Sequence, residues 1–330
     1  MEKVVIFNTW IGSRNLGDQI IMESSKNELL KLFNEYFFFE IPTQLEMLTK
    51  EFKALKEKET KVAFVCGTNL LGPLKLKARR NQWKIGLKFL MYILTKKIDT
   101  IVLVGVGWNK YQDKKITFLE KFFLRKLLIN NHIHSVRDEY TKKKLKEIGI
   151  ENVINTGCVT TWGLTKEKCK NIKVNKTKKA IITLTDYNRD FELDRELFEI
   201  VNNNYDEIYF WPQGTGDLEY VKELIKNKIK YKVINPNYES YKKFLEETEC
   251  DFIGTRLHGG IKALQLGKRT IIIGIDNRAL EMRENKLPIL DRKEIRSKLN
   301  DMINSEFKIE IEIFDEKIKK WKEQFKITKQ

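Results

Sequence analysis

Arg256 and His258 are the residues whose types and spacing point most directly to chemistry. They lie in Cys250-Asp251-Phe252-Ile253-Gly254-Thr255-Arg256-Leu257-His258-Gly259-Gly260. Phe252-Ile253 reads as a short buried strand. Ile261, Leu264 and Leu266, closed by Gly267, read as the helix that follows. The turn between them brings a permanent cation and a titratable acid or base to one place. Its glycines leave room for a ligand against the backbone and free the helix N–H groups, which suits an anion. The chain has three histidines, and His132 and His134 precede or sit in a strand, so His258 is the one in a site-like context.

Other polar residues recur at the carboxyl ends of apolar runs in both halves: Asn15, Asp18, Arg137, Gln213, Asn277 and Arg278. Open α/β sheets bind ligands at such ends. Gly12 to Gly17 has P-loop spacing, but Asp18 stands where that motif needs Lys, so phosphate binding of that type is not expected. Asp18 reads equally as a helix N-cap. Arg137 either holds an anion or pairs with Asp138 to fix its loop. In Trp211-Pro212-Gln213-Gly214-Thr215-Gly216-Asp217, Gln213 is the side chain free to read a ligand, and Asp217 caps the next helix. Arg278 and Glu281 are one helical turn apart, as a salt bridge or as an anion contact. Cys66-Gly67-Thr68-Asn69-Leu70-Leu71-Gly72 offers small residues and free N–H groups as a floor for a ligand, or an ordinary turn.

Several chemistries lack their residues. There is no H-E-x-x-H, D-x-D or clustered Cys/His for a metal, and no G-x-S-x-G for acyl hydrolysis. Gly105-Val106-Gly107-Trp108-Asn109-Lys110 fails the dinucleotide fingerprint at its last position. Cys66, Cys158, Cys169 and Cys250 are scattered, which fits a reduced, cytoplasmic protein and no disulfide frame.

The elements that must position these residues are continuous apolar runs, the mark of strands covered on both faces. They are Val4–Asn8, Lys61–Cys66, Thr100–Val106, Ile133–Val136 and Val153–Thr156. A second series is Ala180–Thr185, Glu207–Trp211, Tyr231–Ile234, Phe252–Gly254 and Thr270–Ile275. Helical patterns alternate with them, so each series predicts a parallel, doubly wound sheet. The polar, lysine-rich Lys166–Lys179 reads as the linker. We expect an N-terminal Rossmann-like domain over 1–168, a second over 176–313, and a closing helix over 314–330 that crosses back to the first. That helix carries Phe314, Ile318, Trp321 and Phe325 on one stripe. Residues 81–95 are apolar over most of their surface and flanked by Arg79, Arg80, Lys84 and Lys88. They read as a packing helix, with a membrane-interface helix as the sharper alternative.

At 330 residues and 42% hydrophobic, the chain has the composition of a soluble two-domain protein. No segment reaches the apolar length of a membrane span, and Met1–Phe7 enters a strand without a signal-peptide pattern. The net charge of +16 is spread as lysine along every helix. Without arginine-rich blocks or aromatic-basic interleaving it does not point to nucleic acid, whereas an anionic ligand is expected.

The ordered set Asn15-Leu16-Gly17-Asp18, Gly67–Gly72, Gly105–Gly107, Val136-Arg137-Asp138-Glu139, Gly157-Cys158, Trp211-Pro212-Gln213 with Asp217, and Gly254–Gly259 resembles the polysaccharide pyruvyl transferase family. The likeness runs from the first strand through Glu281. It implies an α/β, GT-B-like fold, two Rossmann-like domains with parallel sheets facing a central cleft, the first on the acceptor side and the second on the donor side. It also implies transfer of the enolpyruvyl skeleton of phosphoenolpyruvate to glycan or lipid-linked sugar hydroxyls as a ketal, with no metal and no cofactor beyond that co-substrate. His258 is then the general acid that protonates the methylene carbon, Arg256 holds phosphate or carboxylate, and Asp18 orients or deprotonates the acceptor hydroxyl. Donor contacts fall to Arg137, Gln213, Arg256, Gly259, Asn277 and Arg278, and acceptor contacts to Asn15, Asp18 and Asn69. Peripheral contact with the inner membrane face would use 81–95. Two departures stand out: Thr68 replaces a glycine of what is often a three-glycine turn, and Cys158 stands where many members carry Asp. A nucleotide-sugar glycosyltransferase and a non-catalytic glycan-binding protein of the same fold are the alternatives.

Overall fold

The computed structural model describes residues 1–45, 49–55, 57–72, 100–108, 116–226 and 228–326. The apolar stretch at 81–95, and with it the proposed membrane contact, lies outside these residues. Two compact units emerge. One comprises Met1–Ser13, Ile21–Trp162 and Phe314–Gln330, the other Arg14–Ile20 and Gly163–Ile313.

In the first unit, β1 (Lys3–Asn8), β2 (Phe37–Pro42), β3 (Thr60–Cys66) and β4 (Ile101–Val104) form a parallel sheet in the order β2-β1-β3-β4. A parallel pair, β5 (His134–Val136) and β6 (Val153–Asn155), continues it through a bridge between Val106 and Val136. Successive side chains alternate between two cores, as strand geometry requires. Val5 and Phe7 join Ala63, Val65 and Leu103 on one face. Val4 and Ile6 join Val62, Phe64 and Val102 on the other. Helices α1 (Gly17–Leu30), α2 (Phe118–Leu128) and α3 (Glu139–Glu147) connect the strands. α1 is divided, since its residues up to Ile20 are grouped with the second unit.

In the second unit, six parallel strands run β7 (Lys179–Thr183), β8 (Glu207–Phe210), β9 (Lys232–Val233), β10 (Asp251–Gly254), β11 (Thr270–Gly274) and β12 (Ile289–Asp291). Their order is β12-β11-β10-β7-β8-β9. This is the doubly wound Rossmann order, and its crossovers reverse between β7 and β10. The longer helices are α4 (Phe191–Asn204), α5 (Asp217–Ile225), α6 (Tyr238–Glu247) and α7 (Leu257–Gln265).

The closing helix α8 (Asp315–Glu323) is grouped with the first unit. Its apolar stripe is core: Trp321 is fully buried, 5.6 Å from the Trp162 ring and 5.9 Å from Phe64. The supposed linker is a structured part of the second unit. Thr165 caps a short helix, Lys166–Lys170, and Cys169 and Ile172 are buried in the unit's core while most of its lysines stay exposed. Strands β2 and β12 were absent from the sequence reading. β2 is half-exposed over most of its length and β12 has three residues, so neither shows a continuous buried run.

Candidate functional site

The second unit gathers Asn15, Asp18, Gln213, Arg256, His258 and Gly259 at the carboxyl ends of its strands. β10 ends at Gly254 and β7 at Thr183, the two strands that flank the switch point. Thr185 and Thr255, just beyond them, are joined through their hydroxyls at 2.8 Å. Arg256 then occupies the N-cap position of α7 and makes no side-chain cap bond. The first-turn N–H groups of this nine-residue helix therefore lack a side-chain cap, and the helix dipole adds positive potential at the same point. His258 stands in that first turn, half-buried.

The Arg256 side chain has a different employment from the one its type suggested. It is buried, and its Nε donates to Asp217 Oδ2 at 2.9 Å and to Leu184 O at 3.2 Å. Its Nη2 pairs with Asp217 Oδ1 and lies 2.9 Å from Asp186 Oδ1. Tyr187 covers the guanidinium at 5.2 Å. Two protein carboxylates thus stand where an anionic ligand was expected, because a buried guanidinium requires compensation.

Asp217 was read as a helix cap, and it is instead the hub of the loop before α5. Gly216 takes the N-cap position, while Asp217 Oδ2 accepts from Gln213 N at 3.0 Å and Gly214 N at 2.7 Å. Burial pushes its carboxyl above the ordinary value, against the pull of Arg256 and the Gly214 amide. The sequence did carry a signal for this residue, in an aspartate after two glycines, but that pattern equally describes a cap.

Gln213 is buried rather than free. Its Nε2 donates to Asn15 Oδ1 at 2.9 Å, and its Oε1 is buried without a partner. Gly17 and Gly259 make room for the carboxamide. A Cβ on Gly17 would stand 2.8 Å from Nε2, and one on Gly259 would stand 2.9 Å from Oε1. Below Gly259, Tyr241 donates its hydroxyl to the Gly259 carbonyl at 2.8 Å and stacks on Trp211 at 3.7 Å. Asn15 also accepts from Gly17 N at 3.0 Å, at the start of α1. Asp18 is buried in the first turn of α1.

Arg137 and Asn69 belong to the first unit. Arg137 Nε bonds Asp138 Oδ2 at 3.2 Å, and Asp138 caps α3 by accepting from Thr141 N at 2.6 Å. Asn69 follows Gly67 and Thr68, both left-handed with φ of 56° and 55°. The side chains of Asn277 and Arg278 lie outside the described residues. Cys158 is buried with its sulfur 3.1 Å from Thr160 Oγ1. Among the described residues no group of three or more His, Cys, Asp or Glu is placed to hold a metal, and no helix is long and apolar enough to cross a membrane.

The family model of polysaccharide pyruvyl transferase matches residues 15–277. The chain belongs to that family and is a transferase of a pyruvate group to a glycan. No curated protein matches it. Among solved structures it is similar to UDP-GlcNAc 2-epimerase of Methanocaldococcus jannaschii, in complex with UDP-GlcNAc and UDP. The identity is 16% over 93% of this chain and 94% of that one, with a TM-score of 0.54. It is also similar to UDP-GlcNAc 2-epimerase of Neisseria meningitidis bound to UDP-GlcNAc, at 12% identity over 98% and 100% of the two chains and a TM-score of 0.49. The first likeness shows a GT-B-like fold of two Rossmann-like domains.

Proposed function

We propose that the chain transfers the pyruvyl group of phosphoenolpyruvate to a pair of hydroxyls on a glycan sugar, forming a ketal and releasing phosphate. The observation that carries this reading is the N-terminus of α7, without a side-chain cap at the switch point of the second sheet and bearing His258 in its first turn. A donor carrying both a carboxylate and a phosphate is matched by helix N–H groups and dipole. His258 supplies the proton to the methylene carbon, and an acceptor hydroxyl then adds to the developing cation. A second hydroxyl completes the ketal as phosphate leaves, carrying off that hydroxyl's proton. Asp18, in the first turn of α1, takes the acceptor proton.

Arg256 has a modified role in this scheme. Its pairing with Asp217 and Asp186 fixes the turn that presents His258, so it acts chiefly as a positioning residue. Arg137, Asn277 and Arg278 remain further candidates for donor contacts, and no metal or cofactor is invoked.

Calorimetric titration of phosphoenolpyruvate, with UDP-GlcNAc as the competing arm, tests the reading. Binding of phosphoenolpyruvate that weakens when Gly259→Ala crowds the helix start supports it. Binding of UDP-GlcNAc alone would replace it with a nucleotide-sugar enzyme.

A further inference from the structure

The loop that follows β7, residues 186–190, is bonded to the carboxyl ends of four other strands. Asp186 N donates to Asp217 Oδ1 at 3.2 Å, beyond β8, and Asp186 Oδ1 accepts from Arg256 Nη2 at 2.9 Å, beyond β10. Asn188 Nδ2 donates to Ile275 O at 2.8 Å, immediately beyond β11. Arg292, immediately beyond β12, is buried. Its Nη2 donates to Asn188 O at 2.7 Å and lies 3.2 Å from each carboxylate oxygen of Asp194.

The sheet order puts β10 between β7 and β11. The Asn188 bond therefore carries the loop past the carboxyl end of β10, where Arg256 turns into α7, to grip the next turn. Asp276 follows Ile275 and caps the short helix Asn277–Glu281 by accepting from Ala279 N at 3.2 Å. Asn277 and Arg278, candidates for donor contacts, open that helix. The far end of the loop is held as well. Asp190 caps α4, and its N–H donates to the Tyr220 hydroxyl at 3.1 Å and to Asp194 Oδ2 at 3.3 Å. Asp194 is fully buried, and Arg292 is the cation that compensates it. Arg292 thus anchors the loop directly at Asn188 and, through Asp194, at Asp190. It lies beyond residues 15–277 that the family model matches.

We infer that Asn188 is a positioning residue of the donor site, holding the turn of Asn277 and Arg278 in register with the start of α7, with Arg292 as its buried anchor; the assignment rests on the pyruvyl-transfer reading. A loop on a sheet rim needs only its own ends fixed. Bonds to four other strand ends restrict it further, as a site requires when groups from separate turns must be held to within about 0.5 Å of one geometry.

Amide exchange and calorimetry on the full chain test this with Asn188→Leu, which removes the donor at nearly constant size. The amides of Ala279 and Leu280 each donate to Asp276 O at 3.1 Å. Their exchange should quicken about tenfold, while the amides of α7 and the melting temperature stay as in the wild type. Phosphoenolpyruvate should bind about tenfold more weakly. Asn188→Gln, which keeps a donor amide, should recover part of both. Unchanged exchange at those two amides overturns the inference, and so does equal affinity for phosphoenolpyruvate in the wild type and Asn188→Leu. Faster exchange throughout the second unit with a lower melting temperature also overturns it, because that marks a bond with a structural role alone. A wild type that binds no phosphoenolpyruvate overturns the pyruvyl-transfer reading instead, and the exchange result then decides by itself whether Asn188 holds the turn.

Discussion

Gln213 Nε2 donates to Asn15 Oδ1 at 2.9 Å across 198 residues of sequence. The carboxamide that makes this bond fills the space between Gly17 and Gly259, so one side chain ties the start of α1 to the start of α7. Both helix starts belong to the second unit, and their relative position depends on this amide.

A double-mutant cycle measures that dependence. Gly259→Ala puts a Cβ 2.9 Å from Gln213 Oε1, while its other neighbours stay at 3.5 Å. The single variant should lose about 1–2 kcal/mol of stability and weaken phosphoenolpyruvate binding. Gln213→Ala removes the obstructing atom, so the double variant should recover part of the loss, with a coupling of about 1 kcal/mol. Strict additivity in urea denaturation would show that the amide and the glycine do not compete for the same space.

Asp217→Asn should destabilise the second unit by about 3 kcal/mol or more. It leaves the buried Arg256 guanidinium with Asp186 as its remaining carboxylate and weakens the acceptor for Gln213 N and Gly214 N. Chemical denaturation reads the loss. A fully stable Asp217→Asn protein would mean that Arg256 is not compensated in the way described.

His258→Gln separates chemistry from structure. The residue is half-buried, so stability should change by less than about 1 kcal/mol. Turnover should fall about 10²–10⁴-fold if the imidazole delivers the proton. Phosphate release with a glycan acceptor, set beside the melting temperature, decides the matter. Near-normal turnover would remove His258 from the mechanism.

His134 predicts a pH dependence of stability. It is fully buried, and burial lowers its pKa from 6.5 to about 4, opposed by its bond to Leu128 O. Nδ1 accepts from Leu103 N at 3.3 Å, and Nε2 donates to Leu128 O at 2.7 Å, which fits the neutral ring. Because the folded value lies below the unfolded one, the unfolded chain takes up the proton first as pH falls. The contribution is complete above about pH 6.5 and is lost as pH drops towards 4, amounting to on the order of 3 kcal/mol. Urea midpoints of the wild type and His134→Asn should converge over that window. A constant gap between them would sink the assignment.

Most strands were legible because they are buried on both faces and therefore read as continuous apolar runs. β12 was not, being three residues long, and β2 is half-exposed although Tyr36-Phe37-Phe38-Phe39 is itself a continuous apolar run. The segment 166–179 read as linker because lysine dominates it, yet Cys169 and Ile172 anchor it in the core. The Arg-Leu-His turn was visible from its glycines and its place after Phe252-Ile253. Gln213 and Asp217 were visible as residues of a strand-end loop, but their pairings with Asn15 and Arg256 were not.

Local pattern was sufficient to determine where strands end, which turns need glycine and which side chains gather at the strand ends, since these depend on neighbours a few residues away. Only the tertiary structure decided how those side chains are spent. Arg256 meets Asp217 and Asp186 across 39 and 70 residues, and Gln213 meets Asn15 across 198. These pairings depend on which strand ends the sheet order makes neighbours. No local periodicity encodes that order, and it is what turned an expected anion-binding arginine into the fixed point of its own loop.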